Sequence, residues 1–83
     1  MDKVLVIVNV PMLSKNFEVF VPTNKKVGVL KILLINGINQ LLGCNLESPF
    51  SFCLKSKETG LNYDENKTVF ENNINNSTEI ILI

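Results

Sequence analysis

"STEIILI" occupies residues 77–83 of the sequence. An aliphatic run of this length, bounded by polar residues, reads as a strand. At the edge of a sheet it would be an aggregation hazard. In the middle of a sheet its N–H and C=O groups find partners on both sides. The run therefore predicts a last strand that enters between two earlier ones. The stretch before it, "DENKTVFENNINNST" (64–78), is polar, with Val69 and Ile74 as isolated apolar anchors, and reads as a long connection containing a helical turn.

The earlier strands lie upstream. Residues 3–10, rich in valine and isoleucine and followed by Pro11, read as the first. After a turn at "SKN" (14–16), "FEVFV" (17–21) places Phe17, Val19 and Val21 on one face and completes a hairpin that Pro22 ends. "FSFCL" (50–54) alternates Phe50, Phe52 and Leu54 with Ser51 and Cys53 and reads as a third strand, followed by a turn with Gly60 at its tip and a short strand at "LNY" (61–63).

Between hairpin and third strand, Val27, Leu30, Leu34, Ile38 and Leu41 follow the three-and-four spacing of one helix face, predicting a helix over 27–42 with Gly43 as its C-terminal stop. Val29, Ile32, Leu33 and Ile35 add apolar area on other faces, and Lys31 is the sole charged residue inside. A helix lying on one side of a small sheet ordinarily has a polar back, so this one is either covered widely or meets a partner. Gly28 and Gly37 each cost about 1 kcal/mol relative to alanine in such a helix. The expected fold is α+β: one domain over residues 1–83, with a mixed four- or five-stranded sheet and one helix across one face.

Eight basic and eight acidic side chains give a formal charge of zero, which argues against nucleic acid as a partner. No run approaches the roughly 18 apolar residues of a membrane span, so no direct membrane insertion is expected. The sequence has no histidine, removing the commonest general base. Cys44 and Cys53 read as reduced thiols without the context of a zinc or catalytic site. Asp64, Glu65 and Glu71 read as loop-solvating or turn-capping acids. The sequons at Asn66, Asn75 and Asn76 read as chance matches. No cofactor, metal or catalytic constellation is implied, and the chain is expected not to be an enzyme.

Binding remains. If Leu5, Ile7, Val19, Leu54 and Ile80 point at the helix, the other side of the sheet carries Val4, Val6, Val8, Phe20, Cys53 and Ile81, an apolar patch suited to a protein partner or to a second copy.

"FVPTNKKVGVLKILL" (20–34) resembles the second strand and helix entry of ubiquitin-like β-grasp domains, and "FCLKSKETGLNYDENKTVFENNINNSTEIILI" (52–83) resembles the remainder. The resemblance places Leu54 on the third strand, Thr68 and Val69 at a short helical turn, Ile74 as a core plug, and Ile80 and Leu82 on the last strand. One departure is Lys26 where relatives often carry an Asp or Thr helix cap. Another is the end at Ile83 without the Gly-Gly tail of conjugated modifiers and sulfur carriers; a natural chain bearing such a tail would revive that alternative. Among tailless members, the size, the "KETG" turn and the "NNSTEIILI" ending resemble the YukD/EsaB-like group associated with type VII secretion in Gram-positive bacteria. That resemblance implies a cytoplasmic adaptor or regulator, with a protein partner such as a secretion-system component, or a homodimer.

Overall fold

The computed structural model describes residues 2–43, 45–46 and 51–83. Strand β1 (Lys3–Val10) runs through a single 3-10 turn at Pro11–Leu13 into β2 (Lys15–Pro22); helix α1 (Val27–Leu42) follows, then β3 (Leu54–Ser56) and β4 (Thr78–Leu82). The turn occupies residues 11–14 rather than 14–16, and β2 begins at Lys15, two residues before the expected start at Phe17. Ser14 takes up the left-handed backbone (φ 52°), and its N–H donates to the Pro11 carbonyl at 3.0 Å.

The sheet order is β2-β1-β4-β3, antiparallel except for the parallel pair β1–β4. The last strand thus lies between the first and third, as its aliphatic composition requires. The "LNY" segment contributes one isolated bridge, Lys55 to Asn62, rather than a fifth strand. Phe50 and Cys44, named above, lie outside the described residues.

Helix α1 covers one face of the sheet, and the core forms between them. Val6, Val8 and Val10 from β1, Ile80 and Leu82 from β4 and Leu54 from β3 meet Val27, Leu30, Leu34, Ile35 and Ile38 from α1, with Val69 and Ile74 closing one end. The stripe on α1 is rotated from the expected one. Leu41 is 71% exposed, whereas Ile35 and Lys31 are buried. Lys31 Nζ donates to the Phe52 carbonyl at 3.0 Å and to Glu65 Oε2 at 2.7 Å, so its charge is paired and α1 turns no charged side chain to solvent among its described residues.

No side chain caps α1 at Lys26. Its first N–H groups are satisfied by another route: Val27 N donates to the Lys67 carbonyl and Gly28 N to the Glu65 carbonyl, each at 3.0 Å. A methyl group on Gly28 would lie 3.1 Å from that same Glu65 oxygen, so glycine here permits the loop to close over the helix start. The main chain of the 64–69 segment does what a capping Asp or Thr would otherwise do.

Candidate functional site

The face of the sheet away from α1 is built by register. Leu5 stands opposite Phe20, Ile7 opposite Glu18 on one side and Glu79 on the other, and Ile81 between Asn9 and Lys55. Directly paired residues share a face, so Leu5, Ile7, Phe20 and Ile81 form this surface together with Glu18, Asn9, Lys55 and Glu79. Phe20 is 68% exposed and is its most prominent apolar group. Cys53 and Ile83 continue the surface past β3, where the Ile83 N–H donates to the Cys53 carbonyl at 3.0 Å. Cys53 is a free, half-buried thiol.

The placement corrects the expected patch in β1. Val6 and Val8 are fully buried against the helix, and Val4 is half-buried and packed on the same core, so none of the three belongs to the open face. Leu5 and Ile7 take their places. The cause is the composition of β1: "VLVIV" is apolar at every position, so alternation carries no phase. The phase comes from the neighbours. Val19 and Ile80 face the helix, and they stand opposite Val6 and Val8 respectively. Phe20, Cys53 and Ile81 lie on the open side.

The corrected surface is less apolar than a valine patch. Glu18 and Glu79 flank Ile7, and Lys57 Nζ lies 3.5 Å from Glu79 Oε1 at the rim. It is a mosaic of the apolar Leu5, Ile7, Phe20 and Ile81 set among acids and lysines, a mixed composition unlike that of the core. No group of three or more His, Cys, Asp or Glu that could hold a metal occurs among the described residues. No helix among them is long and apolar enough to cross a membrane.

A second apolar feature lies on the other side of the molecule. Between α1 and β2 runs a groove of about 180 Å³, lined by Phe17 and Val19 from the sheet and by Leu33, Gly37 and Leu41 from the helix. Sequence reading missed it, because it depends on how the helix is rotated over the sheet.

No protein-family model and no curated protein sequence matches the chain. Solved structures do. The EccD5 ubiquitin-like domain from Mycobacterium xenopi superimposes with a TM-score of 0.80 at 15% identity, covering 100% of this chain and 94% of that one. Caldiarchaeum subterraneum ubiquitin gives 0.72 at 14% identity, over 99% and 92%. The ubiquitin-like domain of Arabidopsis thaliana protein At2g32350 gives 0.68 at 24% identity, over 100% and 78%. The fold is therefore the ubiquitin-like β-grasp. Identities this low fix the architecture alone.

Proposed function

We propose that this chain is a non-catalytic ubiquitin-like adaptor that docks another protein on the open face of its sheet, acting in the cytoplasm as an accessory or regulator of a bacterial type VII secretion system. The observation that carries the reading is the end-to-end likeness to the EccD5 ubiquitin-like domain, which joins the sequence's resemblance to the YukD/EsaB-like group. The mosaic of Leu5, Ile7, Phe20 and Ile81 among charged neighbours suits a partner that must associate and leave.

The test is co-purification of type VII secretion components with the tagged protein in its native host, comparing wild type with Ile81→Asp. Ile81 is half-buried on the open face and lies outside the helix-side core. Capture of a secretion component by wild type and its loss in the variant is the expected result. Capture of none, or equal capture by both, refutes the adaptor reading or its assignment to this face.

A further inference from the structure

The outer edge of β2 and the flank of α1 above it form one continuous wall. Thr23 N donates to the Asp2 carbonyl at 3.0 Å, which continues the β1–β2 ladder by one pair. Bonded pairs alternate along an antiparallel ladder, so Val21, Val19 and Phe17 bond to β1, whereas Asn16, Glu18 and Phe20 turn their N–H and C=O outward. Two observations agree with this phase. Pro22, which has no N–H, falls on the outward set, and Leu5, opposite Phe20, bonds away from β2 to Asn76 Oδ1 and Ser77 N. In the sheet order β2 is an edge strand, so among the described residues its outward groups have no ladder partner; the Pro22 carbonyl accepts from Lys25 N at 3.4 Å in the turn that follows.

Above this edge stand Leu33 and Leu41, 53% and 71% exposed, with Gly37 between them and open space where its Cβ would be. An eight-residue edge strand beside an uncharged apolar helix flank asks for an occupant that supplies both a strand and a helix. A second copy of this chain supplies them in register.

We propose that two copies associate about a two-fold axis across β2, joining their sheets edge to edge and packing the Leu33–Leu41 flanks of the two α1 helices together over the groove. Charge selects the register. Pairing centred on Glu18 sets that carboxylate against its own copy, which is destabilising. Pairing centred on Val19 sets Glu18 opposite Phe20 and forms about four main-chain hydrogen bonds between these two positions of the two copies. With a net charge of zero and an uncharged helix flank, no field separates the copies. The Cα extents of 31 × 27 × 22 Å set a ceiling on the order of 600 Å² for a flat contact on the smallest side, above the roughly 500 Å² per partner at which a specific interface begins. The contact is isologous and closed, and it leaves the central part of the open face free. It stands independently of the adaptor reading.

Sedimentation velocity over about 1 µM to about 1 mM tests it. The expected mass rises from 9.3 kDa toward twice that value. Glu18→Pro removes an outward N–H and no bond to β1, and Leu41→Glu places a charge on the helix flank; each is expected to weaken association about tenfold or more. Circular dichroism confirms that the variants fold; should Glu18→Pro unfold, Leu41→Glu decides alone. Ile81→Asp, on the open face, is expected to leave the dimer unchanged. A mass that stays at 9.3 kDa throughout overturns the proposal, as does a dimer that survives Leu41→Glu or that Ile81→Asp dissociates.

Discussion

Helix α1 and the connection over residues 62–77 are held by opposite means. The helix satisfies its backbone internally and needs only a stripe of apolar side chains to fix it on the sheet. The connection has no such repeat and is secured residue by residue. Asn72 accepts from Asp64 N at 2.9 Å through its Oδ1, while its Nδ2 donates to the carbonyls of Asp64 and Thr68 at 3.0 and 2.9 Å. Thr68 and Glu71 cap each other reciprocally: Glu71 Oε1 accepts from Thr68 N, and Thr68 Oγ1 accepts from Glu71 N. Asn73 and Ser77 hold left-handed backbones that let the chain reverse. Regular structure therefore does not measure structural importance here, because the irregular segment caps the helix and plugs the core.

Truncating one aliphatic side chain in each region separates the two most strongly. Ile74, in the connection, is 2% exposed, and Ile74→Ala is expected to cost about 2–5 kcal/mol. Leu41, in the helix, is 71% exposed, and Leu41→Ala is expected to change the monomer's stability by less than about 0.5 kcal/mol. Urea denaturation at low protein concentration reads both. Equal losses would mean that the connection is no more than a tether.

A smaller effect separates the two helical glycines. Gly37→Ala is expected to gain about 0.5–1 kcal/mol, because a methyl group there meets nothing within 4 Å. Gly28→Ala has the same helical preference but pushes against the Glu65 carbonyl at 3.1 Å. It is expected to lose stability where Gly37→Ala gains it. Thermal melts of the two variants sharpen the contrast, since a gain in both would show that the loop yields to the helix.

The smallest effect is one of pH. The Thr68 N–H, and after it the Thr68 hydroxyl, hold the Glu71 carboxyl below the ordinary carboxylate range. A carboxyl depressed on folding stabilises above its unfolded pKa, and the contribution is lost as pH falls through the folded one. Wild type is therefore expected to hold a slight advantage over Glu71→Gln near neutrality that fades on acidification. Denaturation midpoints between about pH 6 and pH 3 check it; an advantage independent of pH would remove the carboxylate from the cap.

Much of the architecture was legible because it rests on local pattern. The helix bounds follow from the three-and-four spacing and Gly43, and the central place of β4 from its aliphatic run. What stayed hidden rests on pairing. The uniformly apolar β1 carries no phase, so Val6 and Val8 were indistinguishable from Leu5 and Ile7 until their partners across the ladders were known. Lys31 gave no sign of burial, because the groups that receive its ammonium, Glu65 and the Phe52 carbonyl, lie more than twenty residues away in sequence. The main-chain capping of α1 was equally silent, since carbonyl oxygens leave no trace in residue identity. Of the candidate surface, Phe20 and Ile81 could be placed from alternation within β2 and β4; the third strand expected over 50–54 instead starts at Leu54, so Cys53 precedes it, and the α1–β2 groove could not be placed.

The parallel pairing of β1 with β4, from Val6–Thr78 to Asn9–Ile81, joins the first strand of this sheet to its last in sequence order. On a ribosome, β1, β2 and α1 emerge well before the strand that completes the sheet. Until β4 arrives, β1 has one side without a ladder and the valine core has no far wall. The hairpin and helix are thus synthesised into a waiting state, with an unpaired strand edge of the kind that recruits other chains. Sheet closure is bound to the end of translation of this segment, and contacts of such long sequence separation make it the slow part of folding.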